Sequence, residues 1–313
     1  MAAISDGLVV AALIGYLAAM VGHAVELAAA LRSARPVPAA APARLGSTVA
    51  TAEAATPARA AAPLWWLRRA VVVLTVGATV AHAGAVVARG WAAGRVPLGN
   101  LYEFILAVTL AGAVAWLVAQ ARRPVREAGL FVTLALALLL GGAARVYTRV
   151  EPLVPALESP WLRVHVSAAA TATGLLLVGF VAAALYLLRL RHDALVSEGR
   201  HPSPVIGRLP APAALDRLAM RLHQVAFPIW TFAIVAGAIW AEAAWGRYWG
   251  WDPKETWAFV SWVLYACYLH ARSTAGWRGR RAALVAMVAW ATMLVNLFVV
   301  NLLFTGLHSY AGL

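Results

Sequence analysis

Apolar residues recur along this chain in runs of roughly 20, the length that crosses about 30 Å of hydrocarbon as an α-helix. Eight such runs fall at residues 7–31, 70–89, 101–121, 127–147, 164–188, 222–243, 254–272 and 282–304. The alternation over about ten residues that marks a transmembrane β-barrel is absent. The pattern predicts an all-α, polytopic integral membrane protein with about eight transmembrane helices. The first run lacks a basic leader and continues to full spanning length, so it reads as a helix that stays rather than a cleaved signal. Residues 1–31 thus form the first helix. Residues 33–63 are rich in Ala, Pro, Arg, Ser and Thr, which predicts a disordered linker over 32–69. Residues 70–313 follow as one helical domain. Within it, 192–216 carries Pro202, Pro204, Pro210 and Pro212 and predicts a second flexible loop. No internal repeat of fixed period occurs.

Composition agrees with a membrane protein. The chain is 63% hydrophobic and 12% charged, whereas soluble domains are about half apolar. The net charge of +13 could suggest a nucleic acid partner, but its placement argues against one. Of the 26 basic residues, 19 fall in loops 32–69, 122–126, 189–221 and 272–281. The positive-inside rule makes those loops cytoplasmic. Both termini, and the loops near 90–100, 145–163 and 244–253, then lie on the outer side of a cytoplasmic membrane. A lone cysteine, Cys267, excludes an intramolecular disulfide and any Cys-x-x-Cys site. It also excludes the Cys-x-x-Cys-His attachment motif, so the chain is not itself a c-type cytochrome. Inside an apolar run, Cys267 reads as a small buried residue.

Six of the 14 tryptophans lie between Trp240 and Trp262. An interfacial aromatic belt explains the scattered Trp65, Trp66, Trp91 and Trp161. It explains the cluster poorly, because a belt distributes over many helix ends. A platform for a large planar ligand fits better. Asp252-Pro253-Lys254-Glu255 reads as a helix start, with Asp as N-cap, Pro at the first helical position and Glu closing a capping box. Capping and a functional role for Asp252 can coexist. Arg247 and Lys254 flank the platform and suit ligand carboxylates.

Eight histidines are present. His192, His201 and His223, in or beside an arginine-rich loop, read as solvated. The other five lie in or beside spans, where ionisable residues are costly and often functional. His165 opens the fifth span and His308 follows the eighth, both at the level of the tryptophan loop. Two imidazoles on opposite faces of a porphyrin, with tryptophans against its ring, make a coherent heme site. His270 lies 17 residues after Pro253, about 26 Å deeper, so it cannot easily share an iron with His308. His23 falls near the depth of His270 and His82 nearer mid-membrane. Each is consistent with a ligand or with a packing residue.

Trp-Gly-Arg-Tyr-Trp-Gly-Trp-Asp-Pro-Lys-Glu-Thr-Trp at 245–257 resembles the tryptophan-rich WWD signature of heme-handling membrane proteins. Four further segments resemble one branch, the CcsA/ResC family of System II cytochrome c biogenesis. They are Arg-Val-Pro-Leu-Gly-Asn-Leu-Tyr-Glu at 95–103, Trp-Leu-Arg-Val-His-Val at 161–166, Tyr-Leu-His-Ala-Arg at 268–272 and Gly-Leu-His-Ser-Tyr at 306–310. The matches run from about residue 95 to the end, which makes 70–313 a cytochrome c assembly domain with its WWD loop at 240–257. The resemblance implies a heme-binding subunit of a two-protein holocytochrome c synthase, or heme lyase. Heme b would enter through a site involving His270. It would reach an outer site held by His165 and His308 and shelved by Trp245, Trp249 and Trp251. There it would meet the reduced Cys-x-x-Cys-His thiols of an apocytochrome c. Asp252 belongs to the same site, with Trp240, Trp257, Arg247, Lys254 and His82 as additional candidates. The implied partners are a ResB-type membrane protein, which would supply the other intramembrane ligand, apocytochrome c and thiol-reducing proteins. Two alternatives stand beside this. One is a CcmC-like exporter or chaperone that hands heme to a separate ligase. The other is a polytopic scaffold or transporter that binds no heme.

Overall fold

A computed structural model describes residues 1–33, 65–153, 155–274 and 276–308. Among these residues the structure is all-helical. In chain order the helices are α1 (Ala2–Ser33), α2 (Trp65–Ala93), α3 (Leu101–Arg122), α4 (Gly129–Ala143), α5 (Pro160–Ser197), the short α6 (Pro204–Gly207), α7 (Pro212–Trp245), α8 (Pro253–Ser273) and α9 (Arg280–Leu294). A π turn at Val295–Val299 carries α9 on into α10, Val300–Leu303. The linker expected at 32–69 falls largely on 34–64, outside the described residues.

Seven helical stretches among the described residues are long and apolar enough to cross a membrane. The eighth expected span, 254–272, does form a helix, but α8 falls short in apolarity. Lys254, Glu255, His270 and Arg272 dilute it. Its 21 residues still extend about 31 Å. α8 packs on α9 and α7, while α5 packs on α7, α3 and α9. α1 lies against α2 and α4, and α3 bridges the two groups. Without a hydrophobic drive between helices in lipid, small residues let backbones approach. The α3–α5 contact shows this: a Cβ on Gly174 would lie 2.6 Å from the Gly112 nitrogen.

Side-chain bonds show that the helices alternate in direction. At one end Ser5 donates to the Ala85 carbonyl, Tyr147 to Asp6, and Arg89 to the Thr148 carbonyl. At the other end Arg126 pairs with Glu26 and Arg272 with Asp216. The first end carries the WWD loop; the second carries the arginine-rich connections.

Three expectations are corrected. Residues 192–216 are mostly helical rather than a flexible loop. Pro204 and Pro212 sit at the start of α6 and α7, where a missing N–H costs nothing. Arg189 ties the turn down by donating to the Leu209 carbonyl at 2.6 Å. Because α7 begins as early as Pro212, His223 lies inside the bundle and is fully buried, not solvated. It packs against Tyr265 and Tyr268 of α8, above Gly179 of α5. Neither of its ring nitrogens has a hydrogen-bond partner. Cys267 is exposed rather than buried, because the Tyr265–Tyr268 face of α8 is the one turned to the bundle.

Residues 95–103 build a charged lock at the WWD end. Glu103, 1% exposed, accepts from Arg89 at 2.9 Å, Arg95 at 2.8 Å and the Gly99 amide at 2.7 Å. Arg89 is fully buried and also lies over the Tyr102 ring at 4.7 Å. Removing one partner of such a group leaves an uncompensated charge, at a cost of ~3–5 kcal/mol. Glu103→Ala protein should therefore accumulate poorly and unfold at a clearly lower temperature in detergent. An unchanged melting curve would show that the lock contributes nothing.

Candidate functional site

The WWD loop is shaped by its own local bonds. α7 ends at Gly246, whose φ of 69° is the left-handed C-cap that glycine adopts without strain. α8 begins with the expected capping box. The Lys254 amide donates to Asp252 Oδ1 at 3.0 Å, and Glu255 Oε2 accepts from the Asp252 and Gly250 amides at 3.0 and 2.8 Å. Between these caps Trp251 takes a φ of 58°, an outlying conformation for a bulky residue. The loop thereby turns Trp251 outward, to 64% exposure, while Trp249 faces inward.

Asp252 does more than cap. Its Oδ1 also accepts from His308 Nδ1 at 2.9 Å, and its Oδ2 accepts from the Leu307 amide at 2.7 Å. Burial alone would raise the carboxyl pKa. The hydrogen bonds from His308 and from the Leu307 and Lys254 amides outweigh burial and hold it below the usual carboxylate range. The group is thus a carboxylate at any physiological pH.

His165, on α5, is set from α7. Its Nδ1 lies 2.7 Å from the Ala233 carbonyl, with the ring over Gly237. A carbonyl and a carboxylate can only accept. Both His165 and His308 therefore carry their proton on Nδ1, and in the neutral ring Nε2 bears the lone pair that binds metals. Trp240, 2% exposed, touches both rings. It stacks on His165 at 6.0 Å and 15°, and meets His308 edge-on at 5.7 Å. Trp245 packs edge-on against His308 at 5.0 Å.

Beside these groups lies a cleft of about 1210 Å³, its open mouth included. His165, His308, Trp240, Trp249 and Lys254 line it, beside Leu98–Leu101 from the 95–103 segment. Trp230, Met293 and Thr173 line it as well. Lys254 Nζ donates to Asn301. Asn296, brought in by the π turn, and Trp230 each present a buried polar atom, Oδ1 and Nε1, that makes no hydrogen bond. Sequence reasoning missed both. The signal for Asn296 was available: two amides, Asn296 and Asn301, interrupt an otherwise apolar run.

Several other candidates lie elsewhere. Arg247 is exposed and folds over Gly250. Trp245, expected as part of the shelf, lies behind His308 outside the cleft lining, as do Trp251 and Trp257. His82 is fully buried in α2, with Nδ1 3.4 Å from the Tyr16 hydroxyl. His23 sits beside Glu26 at 3.6 Å. His270 is exposed near the end of α8 remote from the cleft.

Comparison with known proteins identifies the family. Residues 98–308 match the family described as Cytochrome C assembly protein. Several relatives are each called cytochrome c biogenesis protein CcsA. The protein of Parasynechococcus marenigrum (strain WH8102) is 40% identical over 252 residues, covering 72% of this chain and 80% of the relative. That of Trieres chinensis is 34% identical over 249 residues, covering 71% and 80%. That of Porphyra purpurea is 32% identical over 283 residues, covering 79% and 88%. With the matched region holding the WWD loop and both cleft histidines, the chain belongs to the CcsA family of multi-pass membrane proteins of cytochrome c biogenesis.

Proposed function

We propose that this chain is the heme-binding subunit of a two-protein System II cytochrome c synthase. In this reading it moves heme b to the outer face of the cytoplasmic membrane and presents it to apocytochrome c. One observation carries the proposal: two histidines with Nδ1 protons committed elsewhere border one cleft and share Trp240. The donor set suits heme. Among the described residues no three of His, Cys, Asp and Glu gather to hold a bare ion. His165 and His308 would be enough to hold an iron whose remaining ligands come from a porphyrin. Lys254 is the cleft cation for a propionate.

Bound there, heme would supply the vinyl carbons to which apocytochrome thiols add. The chain supplies position. His165 and His308 would hold the iron, and Trp240 and Trp249 would pack beside the ring. The apolar walls exclude water. Holding a thiol beside a fixed acceptor recovers much of the entropy of a bimolecular encounter, so no base in this chain has to activate the thiol. His270, facing away from the cleft, is assigned to an inner heme site completed by a ResB-type partner. Thiol-reducing proteins would keep the client cysteines reduced.

Purified protein should carry non-covalent heme b, read as a pyridine hemochrome spectrum. Protein that accumulates normally and never contains heme sinks the proposal. The outer placement has its own test. In a Cys267→Ser background, Tyr248→Cys should react with a membrane-impermeant thiol reagent in intact cells, and Arg200→Cys should not. The opposite pattern would invert the topology and exclude His270 from an inner site.

A further inference from the structure

The two cleft histidines are held by different chemistry. His165 gives its Nδ1 proton to a neutral acceptor, the Ala233 carbonyl. His308 gives its proton to an ionised one, Asp252. Capping alone does not require this. An N-cap needs one oxygen for an amide in the first helical turn, and the Lys254 amide fills that role. Yet the Asp252 carboxylate, on a residue only 7% exposed, also holds the Leu307 amide and the His308 ring. Gly306 completes the fit: a Cβ there would lie 2.5 Å from Asp252 Oδ2. Residue 306 has no side chain, so the segment lies flat against the carboxylate. An asparagine would cap α8 equally well. Its amide NH₂ would face either the Leu307 amide or the His308 proton, donor against donor.

We propose that Asp252 is a positioning residue whose carboxylate fixes the ring and tautomer of His308, making His308 the stronger electron donor of the two cleft histidines. The donor half of this rests on the heme reading above; the clamp half does not. A charge-assisted bond is roughly twice as strong as a neutral one. A carboxylate behind a ligating imidazole raises the basicity of the nitrogen that faces the metal. His165, backed by a neutral carbonyl, lacks that gain.

The test uses full-length Asp252→Asn and Asp252→Ser proteins, both of which retain a good N-cap. Two readouts are taken. Amide exchange at Leu307, measured on heme-free protein, reads the clamp. Hemin affinity and the heme midpoint potential read the donor strength. Both variants should accumulate, exchange Leu307 faster and bind hemin about 10- to 100-fold more weakly. Their midpoint potential should rise, because a weaker donor stabilises oxidised iron less. Unchanged Leu307 exchange with unchanged affinity and potential would reduce Asp252 to a cap and overturn the inference. So would failure of both capping-competent variants to accumulate, which would assign Asp252 to folding. Wild-type protein that binds no hemin would instead refute the heme reading, and Leu307 exchange would still decide the clamp.

Discussion

His165→Ala and His308→Ala proteins should accumulate like the parent and lose the low-spin bis-histidine heme spectrum. Cytochrome c maturation in cells should fall to background in each. The fold should survive because little structural bonding is lost. His165 contributes one hydrogen bond, to Ala233, worth about 1 kcal/mol. Removing the His308 ring leaves Asp252 still bonded to the Leu307 and Lys254 amides, so the buried carboxylate keeps partners. What disappears is the pair of Nε2 donors. Visible absorption and hemochrome content of the purified variants check the first half, and covalent heme staining of a client cytochrome checks the second. Full maturation in both variants would withdraw the ligand assignment.

His270→Gly should abolish maturation as well, and added imidazole should restore part of it. The argument rests on where His270 lies. α8 turns Tyr265 and Tyr268 to the bundle, both nearly inaccessible, and leaves His270 exposed. A packing histidine would be expected on the opposite face. A vacated ligand position accepts free imidazole, whereas a lost packing contact does not. Heme content and maturation of the well-expressed variant, with and without imidazole, give the result. Absence of rescue would leave the outer site standing and remove the inner one.

The helices were legible because runs of roughly 20 apolar residues leave the backbone one satisfied conformation in lipid. The start of α8 was legible too, since a capping box is written within four consecutive residues. Contacts between distant residues were not. Asp252 announces a cap, but its bonds to Leu307 and His308 join segments 55 and 56 residues apart. Arg89 reads as a cation at a helix end, and nothing local reveals its pairing with Glu103. Trp249 and Trp251 look equivalent in a loop without periodicity. Only the positive φ of Trp251 separates the inward ring from the outward one. His223 and Cys267 were misplaced for a related reason. Which face of a helix is buried, and where the helix begins, depend on neighbours that the local sequence does not name.

The π turn at Val295–Val299 constrains chain length as well as residue type. Widening one turn inserts a residue without breaking the helix, and each residue advances the phase by about 100°. The turn thus acts as a gear change. Before it, Trp290 and Met293 keep step with the core; after it, Asn301 comes round to Lys254. Deleting one residue of Val295–Val299 would let the turn close to a regular helical one with both halves still in phase, whereas inserting one more would rotate the two halves apart by about 100°. The stretch therefore tolerates the loss of a residue better than the gain of one.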